Sequence, residues 1–238
     1  MSKFWKFKAA ADKTGELLLY GSISNHSWWG DEVTPKQFKE DLDALGDIDM
    51  LNVYINSGGG DVFAGQAIHS MLKRHKASVT VYIDGLAASI ASVIAMAGDK
   101  IIMPKNAMMM IHNPWTIAIG NAADFRKLAD DLDKINESIK AAYLGKAADL
   151  EESKLIELMD AETWLTAQEA VDLGLADEIE ESKAVAAALD KEFFGAYKNA
   201  PDWLKNTEPS APPAPEPVPP EPDNSTEKEK LLIEIDLI

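Results

Sequence analysis

The chain has 238 residues, 46% of them hydrophobic and 26% charged, enough apolar material for one domain of ordinary size with appendages. A net charge of −17 and a pI near 4.6 argue against a nucleic-acid binder, which needs clustered Lys and Arg to displace counterions. The absence of cysteine excludes disulfides, thiolate catalysis, Cys-based zinc sites and iron–sulfur clusters.

The first sixteen residues hold no apolar stretch of signal-peptide length, and no window reaches 18 uninterrupted apolar residues. The sequence therefore reads as cytoplasmic, without a membrane span. The run "ELLLYGSI" (16–23) predicts a strand. A helix follows over 31–45, with Thr34 as N-cap and Pro35 at its first position. "MLNVYIN" (50–56) predicts a strand, "SGGGD" (57–61) a tight turn, and 62–75 an amphipathic helix. "SVTVYID" (78–84) is a further strand, and the nearly all-apolar 88–98 a buried helix. Residues 100–104 and 107–112 are short strands. This alternation of strand and helix implies right-handed crossovers and a mainly parallel α/β sheet covered on both faces.

After Pro114 comes an extended segment, "WTIAIGN" (115–121), and then a long helix over 121–144. Its apolar residues Phe125, Leu128, Leu132, Ile135, Ile139 and Ala142 step by three and four. Such a stripe suits either a helix lying on its own domain or one protruding to meet another subunit. A helix at 152–159 precedes "TWLTAQEAVDLGLADEI" (163–179), which reads as strand, helix ending at Gly174, and strand. An Ala-rich helix is expected over 183–199. The segment 207–224 carries eight prolines and reads as a polyproline-type spacer. The chain then closes on "EKEKLLIEIDLI" (227–238), a docking-type peptide or a disordered end. The expected organisation is a folded domain over 1–200, a Pro-rich linker over 201–226 and the short terminal peptide.

Three features can carry chemistry. Ser89 stands at the predicted start of the apolar helix, where backbone N–H groups lack intrahelical partners and favour negative charge. Taken alone it reads as an N-cap; taken with its small neighbours Gly85, Ala87 and Ala88 it could be a nucleophile. The G-x-S-x-G elbow is absent. The glycines of "INSGGGD" allow positive φ and close approach of another chain, so they read as a plain turn or as a backbone wall with N–H donors. A phosphate loop lacks its Lys-Ser/Thr ending, and a dinucleotide fingerprint would need a glycine where Phe63 stands. His112 ends a strand, where sites of parallel sheets gather, whereas His69 and His75 fall on or beside the amphipathic helix and His26 in a loop. An acid to orient His112 could come from Asp160 or Glu162, which otherwise read as surface carboxylates.

In this order the blocks "YINSGGGDVFAGQAIHSML", "DGLAASIASVIAMAGDKIIMPKNAMMMIHNP" and "TWLTAQEAVDLGLADEI" resemble the Clp protease proteolytic subunit family over 17–179. The resemblance implies a crotonase/Clp-like spiral of βαβ units with a protruding handle helix at 121–144. It implies a Ser-His-acid serine endopeptidase that needs no metal or cofactor, with Ser89 as nucleophile, His112 as general base and Glu162 as the acid, Asp160 being the alternative. It implies Gly60 and Ile90 N–H groups as oxyanion hole, and Gly58, Gly59, Trp115, Thr116 and Ile117 as substrate-binding positions. The family's Ser-Pro-Gly-Gly is here Ser57-Gly58-Gly59-Gly60. As partners it implies a homo-oligomer of stacked rings joined by the handle and peptide or protein substrates, with cleavage either ATP-independent or assisted by an AAA+ unfoldase. The "ETW" block, the Pro-rich spacer and the chain ending are similar to phage and prophage head-maturation proteases, which cut capsid and scaffold precursors in the host cytoplasm. Three other functions remain open at this point: a general Clp-type degrading peptidase partnered with an ATPase, an acyl-CoA enzyme of the crotonase type, and an inactive ring serving as assembly adaptor.

Overall fold

A computed structural model describes residues 3–24, 34–181 and 197–201. The Pro-rich spacer from residue 202, the terminal peptide, His26 and nearly all of the expected Ala-rich helix lie outside the described residues.

The fold is α/β. Its sheet runs in the order β1 (Trp5–Ala9), β2 (Thr14–Ile23), β3 (Met50–Gly60), β4 (Ser78–Ala88), β5 (Lys100–Pro104) and β8 (Glu178–Glu180). All neighbours from β2 onward are parallel, while β1 pairs antiparallel with β2. The helices are α1 (Pro35–Asp43), α2 (Val62–Lys73), α3 (Ile90–Ala95), α4 (Ala122–Lys146), α5 (Glu152–Asp160) and α6 (Ala167–Asp172). Local chemistry fixes several starts. The Thr34 side chain accepts from the Gln37 amide ahead of Pro35, and Asp61 caps α2 through the Ala64 amide. Asn121 opens α4 with a capping box shared with Asp124.

Strand β4 is long enough to serve two partners in succession. Residues 80–82 pair with β5 and residues 86–88 with β6 (Met108–Ile111). Strand β6 in turn pairs antiparallel with β7 (Thr163–Thr166). The glycines expected to form a turn belong to β3 instead. Their strand continues through Gly60 because β2 offers backbone partners at Ser22 and Ile23.

Among the described residues, the helices cover one face of the sheet, where its apolar strands suggest cover on both. Leu51, Val53 and Ile55 on β3 and Val79, Val81 and Ile83 on β4 are buried, while the alternate residues Asn52, Tyr54, Thr80, Tyr82 and Asp84 are only half-buried. The reason is topological. The strand order advances from β2 to β5 in one direction, so right-handed crossovers lay successive helices on the same side. On the other face Tyr54 stacks on Tyr82 at 5.1 Å, and Tyr20 donates to Asp84 at 2.5 Å.

Helix α4 resolves its own ambiguity by halves. Ile139 and Tyr143 are buried and Ile135 packs on the core, but Phe125 is 49% exposed and Leu128 and Leu132 are half-exposed. Strand β1 was not foreseen, because "WKFKA" shows too short an alternation; Trp5 and Phe7 pack edge-on against Phe38 of α1. No helix of the described residues is long and apolar enough to cross a membrane.

Helices α2 and α3 approach closely because Gly65 has no side chain. A Cβ there would lie 2.1 Å from Ile90 Cγ1, inside the van der Waals contact. Gly65→Ala should therefore push against the residue that follows Ser89, costing about 1–3 kcal/mol by overpacking. Denaturant unfolding checks this; an unchanged midpoint would show that the helices separate without cost.

Candidate active site

Sheet register assembles the site. Ala88, the last residue of β4, pairs with Met110 of β6, and the Ser89 amide continues the ladder by donating to the Met110 carbonyl at 3.0 Å. Ser89 and His112 therefore leave the carboxyl ends of adjacent parallel strands side by side. Their side chains meet, with Ser89 Oγ 2.8 Å from His112 Nε2. On the far side of β6, Ile111 pairs antiparallel with Thr163, which sets Glu162 across from His112. On the other side of β4, Ser57 pairs with Ala87, which brings the glycines of β3 to the serine.

Ser89 stands at the N-cap position of α3, yet its side chain caps nothing. Its backbone explains why. At φ 55° and ψ −131° it turns sharply from strand to helix and aims Oγ at His112 instead of the helix amides. This is a strained conformation for a serine, costing about 1–3 kcal/mol and tending to occur at functional sites. The same kind of strand-to-helix turn underlies the nucleophile elbow, here without that motif's glycines. Ile90, first residue of the helix, has no intrahelical acceptor for its N–H.

Buried polar groups hold the turn from below. Ser92 Oγ lies 2.6 Å from the Ser89 carbonyl, 3.0 Å from the Met110 carbonyl and 2.7 Å from the Tyr143 hydroxyl. One serine proton cannot serve three partners, so Tyr143 donates to Ser92, which donates to the carbonyls. The Asn56 side chain accepts from the Leu86 amide at 3.1 Å, where the β3–β4 register shifts between Ile55 and Ser57. Sequence reasoning missed Asn56, Ser92 and Tyr143, and only the break of Ser92 in an apolar helix pointed to any of them.

The glycine set against the serine is Gly59. A Cβ at Gly59 would sit 2.7 Å from Ser89 Cβ, and its φ of +104° suits a residue without one. Gly60, singled out from the resemblance, backs instead onto Ile23, whose carbonyl would lie 1.9 Å from an added Cβ. Gly58 is buried and its carbonyl accepts from Tyr197. Trp115, Thr116 and Ile117 follow His112 in a stretch without regular structure and are exposed, Ile117 at 85%.

The two acids separate by their neighbours. Asp160, exposed at the end of α5, accepts from Asn113 Nδ2 at 2.6 Å. Glu162 occupies the left-handed region at φ 49° and is the carboxylate whose field reaches His112. Burial, with His112 only 8% exposed, holds its pKa below the ordinary 6.5, and the Glu162 charge partly opposes that. A neutral imidazole bonded to a serine hydroxyl can accept the hydroxyl proton, and a carboxylate whose field reaches it favours the resulting cation. Among the described residues no group of three His, Asp or Glu is arranged to hold a metal ion.

Comparison with known proteins gives one consistent picture. A model of the Clp protease family matches residues 31–183. The chain is 33% identical over 141 residues to the ATP-dependent Clp protease proteolytic subunit of Deinococcus radiodurans, covering 58% of this chain and 68% of that one. It is 33% identical over 158 residues to proteins of the same description from two strains of Bacteroides fragilis, covering 63% of this chain and 74% and 70% of theirs.

Two substitutions separate the acids by titration. Glu162→Gln should lower the His112 pKa further, because it removes the charge that favours imidazolium, whereas Asp160→Asn should leave it in place. Imidazole chemical shifts followed against pH measure both; the reverse result would make Asp160 the partner.

Proposed function

The chain belongs to the Clp protease family and is a serine-type peptidase, and we propose that Ser89, His112 and Glu162 carry its reaction inside an oligomeric chamber. The observation that bears most weight is the 2.8 Å contact between Ser89 Oγ and His112 Nε2 at a strained strand end.

His112 takes the Ser89 proton as Oγ attacks the scissile carbonyl. The negative charge that develops on the carbonyl oxygen falls to the Ile90 N–H and to the glycine end of β3, where Gly59 is set against the serine. Imidazolium then protonates the departing amine, leaving an acyl-enzyme, and a water activated by the same imidazole releases the second product. Glu162 acts by holding and charge-balancing His112. The exposed stretch 115–117 with Gly58 and Gly59 forms the walls along which an extended peptide lies.

An oligomer is supported by apolar surface that a lone chain leaves uncovered: Trp115, Ile117, Ile119 and Phe125 are exposed beside the free half of α4. The relatives' description as ATP-dependent proteolytic subunits supports an ATPase partner. The Pro-rich spacer and terminal peptide support capsid or scaffold precursors as natural substrates, cut in a host cytoplasm.

Ser89→Ala should abolish both labelling by a fluorophosphonate probe and hydrolysis of a peptide ester, and His112→Ala should slow hydrolysis by roughly 10²–10⁴. Persistent labelling of the Ser89→Ala chain would end the assignment. The hydrolysis rate should fall with acid only as pH drops through the lowered His112 pKa, because protonated imidazole cannot accept the serine proton; a profile falling well above pH 6.5 would contradict it.

A further inference from the structure

Residues 197–201 lie across the candidate site, and they engage it group by group. Tyr197 is 5% exposed. Its ring stands edge-on to His112 at 5.4 Å and to Trp164 at 5.9 Å. Its hydroxyl donates to the Gly58 carbonyl at 2.5 Å and lies within hydrogen-bond reach of Ser89. The Lys198 and Asn199 amides donate to the two carboxylate oxygens of Glu162 at 3.1 Å and 2.6 Å, and Asn199 Nδ2 donates to the Ala161 carbonyl at 2.7 Å. Tyr197 and Ala200 form a small apolar cluster with Leu86, Ala88 and Met110, separate from the main core.

We propose that residues 197–201 are a self-docked segment that closes the substrate cleft, with Tyr197 filling the side-chain pocket beside Ser89 and His112. This rests on the peptidase reading above. The partners argue for an occupant. Tyr197 takes a backbone acceptor in the glycine wall, fills an apolar pocket at the serine, and leaves Glu162 bonded to main-chain amides of the same segment. Each is a group that a bound peptide or a working His112 would use. The pocket is thereby one that takes an aromatic side chain, and the segment must withdraw before substrate reaches Ser89. Everything after residue 201 leaves from this segment, so a partner that holds residues 202–238 could draw it out.

The full-length chain tests this with a fluorophosphonate probe and a small peptide ester. Tyr197→Ala should be labelled at least fivefold faster than wild type and should show a lower KM with little change in kcat. A synthetic peptide of residues 193–203 should inhibit that variant competitively, and the same peptide with alanine for the tyrosine should not. A measurement on the unaltered chain guards against a misfolded variant: a phosphonate on Ser89 should displace the segment and speed amide exchange at Lys198 and Asn199. Unchanged or slower Ser89-dependent labelling of Tyr197→Ala, with exchange at 198 and 199 unmoved in the labelled wild type, would overturn self-docking and leave the peptidase standing. No labelling of either chain would overturn both.

Discussion

The hydrogen bond from the Ser89 amide to the Met110 carbonyl, 3.0 Å long, fixes the geometry on which the site depends. It is the last rung between β4 and β6, and it sets two strand ends level. A strand pair slipped by one residue turns each side chain to the opposite face, so serine and histidine would no longer meet. The same register logic reaches the remaining parts. Thr163 opposite Ile111 fixes Glu162, and Ala87 opposite Ser57 fixes the glycine wall. Four segments far apart in the chain are thus positioned by one sheet, with little left to flexible loops.

Strain at Ser89 needs a rigid base, and the packing supplies one. Ser92 and Tyr143 tie the serine carbonyl to helix α4, and Gly65 lets α2 press on Ile90. Tyr143 is fully buried, which raises its pKa well above the usual value and keeps the hydroxyl a neutral donor. Helix α4 therefore has two jobs. Its C-terminal half braces the nucleophile, while its N-terminal half stands out with Phe125 uncovered. Contact made by the outer half is continuous, through one helix, with the polar group beneath Ser89.

Much of this was legible in the sequence because local rules agreed with the tertiary outcome. The cap at Thr34 and the β-branched cores of β3 and β4 read correctly from the chain. The reading of 57–61 as a turn failed because strand extension through Gly60 depends on β2, a distant segment. Among the described residues the helices gather on one face of the sheet, which apolar runs could not foretell: they show that a strand is buried, not in which direction the strand order advances.

The sequence by itself determined most of the elements, the order of the blocks that mark the Clp family, and the residue types able to do acyl transfer. Tertiary structure alone decided the rest. It set Glu162 beside the strand end of His112, Asp160 against Asn113, and Gly59 against the serine. It turned an apparent helix cap into a strained serine aimed at His112. It also laid Tyr197 over the pair. The physical reason is the same throughout: side-chain type is a local property, whereas the partner of a hydroxyl, a carboxylate or a glycine face is set by strand register and packing between segments distant in the chain.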